Sequence, residues 1–196
     1  MTTQLRPAIV LLGALHVLTG IVYPLLVTGI AHLVWPEKAH GSLVRVDGRD
    51  RGSALIGQPF SAPGYFWGRP SATSPVPYDA SASSGSNLGP TNPQLLEAVR
   101  GRVAALRRSD PGMEGPIPSD LVTASASGLD PHISVASALI QVDRVAAARG
   151  MPRESLRRLV ESHQEGRTLG LFGEPRVNVL LLNLALDRAS HVSGRQ

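Results

Sequence analysis

The chain has 196 residues, 42% of them hydrophobic and 4% aromatic, with 19 basic and 15 acidic side chains and a net charge of +4. It contains no cysteine, which excludes a disulfide scaffold, a thiolate zinc site, an iron–sulfur cluster and a cysteine nucleophile. Eighteen of the basic residues are arginine and the one lysine is Lys38, so a Walker-type phosphate loop is excluded, and a dispersed excess of four charges is too weak a field to point to nucleic acid.

The mean hydropathy of +0.03 averages two unlike parts. From Pro7 to Pro36 there is no Asp, Glu, Lys or Arg, and 20 of the 30 residues are apolar. A bilayer core needs about 20 helical residues, so this run predicts one transmembrane helix over 7–36 in contact with lipid, preceded by a short N-terminus at 1–6. A cleavable signal peptide has an apolar core of only about 7–15 residues, much shorter than this one. Pro24 sits near the middle, where a kink is tolerated in lipid, and Gly13, Gly20 and Gly29 would let another helix approach closely. Basic residues lie on both sides of the run, interleaved with acids on the C-terminal side, so the charge rule leaves the orientation open.

The remaining 160 residues suit one domain. Ser42–Asp47 reads as a strand followed by an Asp47-Gly48 turn, with further short strands expected at Ala54–Ile56 and Tyr65–Trp67. Ser71–Pro93 has the composition of a flexible linker, although its varied Gly85–Pro93 run is unlike a spacer. Asn92-Pro93 predicts a capped helix start, and Leu95, Leu96, Val99, Val103 and Leu106 keep helical spacing to about Arg108. Leu121-Val122 reads as a short strand. Asp130-Pro131 is expected to open a helix that stops at Gly150, and Pro152 another that stops at Gly166. Asn178 is placed to cap a last helix ending near Arg188, with a buried strand over Val177–Leu186 as the alternative, and 189–196 reads as a flexible tail. The fold class is therefore α/β (α+β) behind a single N-terminal membrane helix.

Metal, nucleotide and hydrolase motifs are missing: there is no His-Glu-x-x-His, Gly-x-Ser-x-Gly or Gly-x-Gly-x-x-Gly, no pump-type Asp-Lys-Thr-Gly-Thr and no Thr-Val-Gly-Tyr-Gly filter. Ser125 or Ser127 with Asp130 and His132 is the best catalytic set, and would make the chain a membrane-anchored serine hydrolase. All four lie within eight residues, however, whereas triads converge from separate elements. The competing reading has Asp130 as a helix cap, His132 in the first turn and the serines satisfying loop backbone. Asp130 and His132 lack a third metal partner. Arg69, Arg167 and Arg176 stand beside glycine or proline and suit anions, acids of a partner, or loop fixing.

Six runs in order resemble the KdpC family, the C subunit of the Kdp potassium-transporting P-type ATPase. They are Gly52–Gln58, Tyr65–Ala72, Tyr78-Asp79 leading to Gly85–Asn92, Asp120–Ser125 with Ser127–Ser134, Gly173–Leu180, and Leu182–Asp187. The resemblance implies a non-catalytic accessory subunit with no cofactor of its own, ATP entering only through the complex. Its partners would be a channel-like potassium-translocating subunit, a P-type ATP-hydrolysing subunit and a small membrane peptide. It implies a cytoplasmic N-terminus at 1–6 and an extracytoplasmic domain over 37–188 that shapes the outer potassium entrance. It also implies a catalytic-chaperone role that raises the ATP affinity of the hydrolysing subunit, and an ordered loop at Ser71–Pro93. The candidates for complex contact or loop structuring are then Arg69, Ser86, Asn87, Asn92, Asp130, His132, Arg176 and Asn178.

Overall fold

The structure is a computed structural model that describes residues 2–193, and it divides into two compact units, Met1–Arg51 and Gly52–Gln196. In the first, one helix runs from Leu5 to Val34 as α1 (Leu5–Val17), a π-helical turn (Leu18–Val22) and α2 (Tyr23–Val34). At 1.5 Å per residue its 30 residues extend about 45 Å, enough to cross a bilayer core with tilt. The π turn lies directly before Pro24, where the Gly20 carbonyl finds no N–H four residues on; the Tyr23 amide reaches back five residues to the Leu18 carbonyl instead. Two polar side chains of this stretch bond within the helix, His16 Nδ1 on the Leu12 carbonyl at 3.0 Å and Thr19 Oγ1 on Leu15 at 2.7 Å. A Cβ added at Gly13, Gly20 or Gly29 would meet nothing within 4 Å among the described residues outside the local helix backbone. After the short α3 (Pro36–Ala39), β1 (Leu43–Val46) and β2 (Arg49–Ser53) pair as a hairpin. Its turn residues Asp47 and Gly48 both have positive φ, as a tight hairpin turn requires.

The second unit is built from α4 (Pro93–Ser109), α5 (Val135–Leu139), α6 (Val142–Arg149), α7 (Arg153–Ser162) and α8 (Val179–Ser193) around a small antiparallel sheet. The sheet order is β3 (His132–Ser134), β5 (Arg176–Asn178), β4 (Gln164–Glu165), with Ile133 opposite Val177 and Ser134 opposite Arg176. Side chains alternate across strands, so Ile133 and Val177 enter the core while His132, Ser134, Glu165 and Arg176 share the other face. Phe66, Ile133, Leu156, Leu182 and Leu186 are the largest fully buried apolar side chains, each contributing about 1.5–3 kcal/mol by burial.

Several expectations change. Asp130-Pro131 opens a strand, not a helix; the helical segment begins at Val135, capped by Ser134, whose hydroxyl accepts from the Ser137 amide at 3.1 Å. Asp120 explains the shift. Its carboxylate accepts from the Ser134 amide at 2.7 Å and from the Ser137 hydroxyl at 2.6 Å, fixing the helix start four residues late. Ala54–Ile56 is a turn after β2, and Leu121 ends a single 3₁₀ turn. α7 stops at His163, because Gln164 pairs into the sheet before Gly166 is reached. Both readings of Val177–Leu186 hold in part, since Val177 and Asn178 close β5 and α8 starts at Val179. α8 continues past Arg188 to Ser193, so residues 189–193 of the expected tail are helical, while 194–196 fall outside the described residues.

Candidate functional site

Tyr65–Trp67 has the composition of a strand and forms none. Two side-chain amides take the place of a neighbouring strand. Asn183 on α8 accepts from the Phe66 amide at 2.9 Å and donates to its carbonyl at 2.9 Å. Gln141 accepts from the Trp67 amide at 2.8 Å and donates to its carbonyl at 3.2 Å. Both amides are buried, and a buried polar group left unpaired costs about 1–3 kcal/mol, so each clamp holds a segment that no sheet supports. Two arginines finish the job. Arg144 lies 3.8 Å from the centroid of the Trp67 ring, bonds the carbonyls of Pro63 and Tyr65 and donates to Gln141 at 2.7 Å. Burial pushes its guanidinium down to about 10, against the pull of Asp110, and it stays charged at neutral pH. Arg149 donates to the Gly64 carbonyl at 2.7 Å and pairs with Asp187 at 2.7 Å, whose other oxygen accepts from the Tyr65 hydroxyl at 3.2 Å.

The clamped segment leads to Arg69, which sits between two hollows. An apolar groove of about 410 Å³ is lined by Phe60, Trp67, Pro70, Tyr78, Leu106 and Leu121 among others. A polar cleft of about 400 Å³ contains Arg69, Asp120, Asp130, His132, Glu174 and Arg176. Along the cleft, carboxylates alternate with guanidinium and imidazole groups. Arg69 donates to Asp130 at 2.9 Å; His132 lies 3.6 Å from Asp130 and 3.5 Å from Glu165; Arg176 donates to Glu165 at 3.0 Å. Burial would raise the Asp130 carboxyl, but His132, through ring and backbone amide, and Arg69 outweigh it and hold the group at about 2. Tyr78 donates its hydroxyl to the Arg69 carbonyl, and burial, with the Asp130 charge adding to it and Arg69 opposing, raises its own pKa.

The loop at Ser71–Pro93 is ordered over its first half, so its linker composition misled. Ser71 donates to the Gly128 carbonyl at 2.7 Å and accepts from the Tyr78 amide at 2.9 Å, and Thr73 is buried. Gly128 has φ +69°, and a Cβ there would meet Thr73 Cγ2 at 2.7 Å; at Gly57 one would strike the Tyr78 ring and lie 2.7 Å from the Asp130 carbonyl. Four of the sequence runs therefore meet at backbone contact distance.

The structure brings Arg69, Asp130, His132 and Arg176 together and separates the other candidates. Asn92 caps α4, accepting from the Gln94 amide at 2.9 Å. Asn178 is buried, caps α8 through the Leu181 amide at 3.2 Å and holds the Ala54 carbonyl at 2.8 Å. Ser86 and Asn87 are exposed, with Asn87 at φ +51°. Asp130 accepts from the His132 amide at 3.0 Å in a turn that enters β3, which replaces the helix-cap role expected for it. Ser125 and Ser127 accept from the amides of Gly128 and Leu129, at 2.8 and 3.1 Å, and the ring nitrogens of His132 face carboxylates. That arrangement activates no serine and does not support the hydrolase alternative. Residues that sequence reasoning passed over include Asp120, Gln141, Arg144, Arg149 and Asn183. Asn183 carried a signal, because a polar residue inside the apolar Val177–Leu186 run must find a partner when buried.

This is an α+β domain behind one candidate membrane-spanning helix, with its polar side chains spent on fixing loops into a single surface. The family model described as the K+-transporting ATPase, c chain (KdpC), matches residues 5–188. A potassium-transporting ATPase KdpC subunit from Sorangium cellulosum is 66% identical over 189 residues, covering 96% of this chain and 100% of the relative. Subunits of the same name from Polaromonas naphthalenivorans and Herpetosiphon aurantiacus are each 60% identical, over 98% and 96% of this chain and 98% and 97% of their own lengths. The chain belongs to the KdpC family.

Proposed function

We propose that this chain is a non-catalytic accessory subunit of an ATP-driven potassium uptake complex, anchored in the plasma (inner) membrane by its N-terminal helix. One observation carries the reading: the family match runs from the apolar helix into the last helix of the domain, residues 5–188, so anchor and domain belong to the same likeness. The partners are a channel-like potassium-translocating subunit, a P-type ATP-hydrolysing subunit and a small membrane peptide. The domain stands on the outer side, where its fixed loops shape the potassium entrance.

An effect on ATP affinity then has to cross the membrane. It does so as a coupling free energy: contacts of this chain favour one conformation of the complex, and that conformation holds ATP more tightly. Couplings of this kind are worth about 1–3 kcal/mol, or roughly 5–150-fold in affinity. The test is to purify the tagged chain in detergent, identify the co-purifying subunits, and measure the KM for ATP of the complex with and without it. We expect three partners and a KM lower by a factor in that range. Normal potassium-stimulated hydrolysis with an unchanged KM in its absence would overturn the chaperone role, and purification of the chain alone would overturn the subunit assignment.

A further inference from the structure

Between β4 and β5 the chain makes a protruding loop whose tip is apolar and whose foot is charged. Leu169, Leu171 and Phe172 are 85%, 75% and 66% exposed. Elsewhere among the described residues of the second unit the exposed large apolar residues, Leu55, Val76 and Leu96, stand singly in the sequence. A cluster of three is different, because contiguous exposed apolar surface on a folded domain marks a contact site.

The loop is stiff. The amide of Thr168 donates to the Phe172 carbonyl at 2.8 Å and the Phe172 amide donates back at 3.0 Å, closing a five-residue ring. Inside it, Gly170 donates to Arg167 at 3.0 Å and Leu171 to Thr168 at 3.2 Å. Leu169 is held at φ +55°, a conformation that costs any residue with a Cβ. At the foot, Arg167 Nη2 donates to both carboxylate oxygens of Glu174 at 3.0 Å, and the next pair of charges, Arg176 and Glu165, also bond each other.

We infer that this loop is a docking knob that seats Leu171 and Phe172 in an uncharged apolar recess of a protein partner within the complex. The inference rests on the subunit reading above. Two features favour protein over lipid. A fluid bilayer gains nothing from a fixed loop shape, whereas a preformed recess does, because a preorganised anchor loses little entropy on binding. The arginines at the foot are paired with acids on the same loop and on the neighbouring strand, so the knob lacks the free basic rim and the Trp or Tyr belt that surface-bound membrane segments carry.

The test uses the full chain in its purified complex, with benzoylphenylalanine in place of Leu171. Irradiation is expected to give one adduct with one protein subunit, and Leu171→Asp with Phe172→Asp is expected to lower retention of the chain in the complex at least about tenfold, as loss of a central apolar anchor does. The thermal unfolding midpoint of the double variant should match the parent, since both side chains point to solvent. Exchange of the foot charges, Arg167→Glu with Glu174→Arg, should restore binding that either change alone weakens. An adduct with lipid overturns the inference in favour of a membrane contact. No adduct, or undiminished retention, in a complex that still co-purifies overturns the knob and leaves the subunit reading standing; a parent chain that purifies without partners overturns both.

Discussion

The helix from Leu5 to Val34 and α8 are both apolar, and they treat that property in opposite ways. In the first, Leu25 and Leu33 are 67% and 85% exposed and no residue is buried; in α8, Leu182 and Leu186 are fully buried. Their polar residues differ in the same sense. His16 and Thr19 bond carbonyls of their own helix, which is what a segment placed in lipid would require, since nothing else there could accept or donate. Asn183 instead reaches across to clamp Phe66, joining two parts of the chain 117 residues apart. The two helices thus share hydrophobicity and differ in where their few polar groups find partners, within the helix in one and across the fold in the other.

The largest expected effect comes from the apolar side of the contrast. Leu182→Ala should destabilise the folded domain by about 2–5 kcal/mol in urea unfolding followed by circular dichroism in detergent, whereas Leu15→Ala should leave that transition unmoved. Equal shifts would mean that the first helix packs into the domain core. Next is the clamp: Asn183→Ala leaves the Phe66 amide and carbonyl unpaired and should cost about 2–4 kcal/mol, while Thr19→Val, which removes a bond internal to a helix, should cost the domain nothing. The smallest effect is electrostatic. The Asp130 carboxyl is held at about 2 in the folded chain, so its contribution is complete above about pH 4 and is lost as pH falls towards 2. After allowance for solvent screening of a partly exposed group it is worth about 1–2 kcal/mol. Midpoint against pH should therefore fall more steeply for the parent than for Asp130→Asn across that window, and parallel curves would show that the pairing with Arg69 and His132 adds nothing.

Legibility followed the range of the interactions. The Asn92 cap, the Asp47-Gly48 turn and the Gly150 stop were readable because each depends on a few adjacent residues and a preferred backbone conformation. The start of the segment after Asp130 was not, since it is set by Asp120, ten residues back, and by pairing with β5, more than forty residues on. The Ser71–Pro93 loop misled for the same reason, Ser71 being bonded to Gly128, Thr73 and Tyr78 rather than to water alone. Of the candidate site, Arg69, Asp130, His132 and Arg176 were named individually, but Glu165, which bridges two of them, carried no local signal.

By itself the sequence determined the bilayer-length helix, the Asn92 and Asn178 caps, the missing nucleophile, metal and phosphate motifs, and the likeness to KdpC, because these rest on composition and short spacings. Only the tertiary structure decided that Tyr65–Trp67 is held by Asn183 and Gln141 instead of a strand, that Arg69, Asp120, Asp130, His132, Glu174 and Arg176 line one cleft, and that three apolar side chains stand on a stapled loop in solvent. The physical reason is that a buried polar group must find its partner in space, wherever along the chain that partner lies, and an exposed apolar one is recognised only after the core has taken all the others.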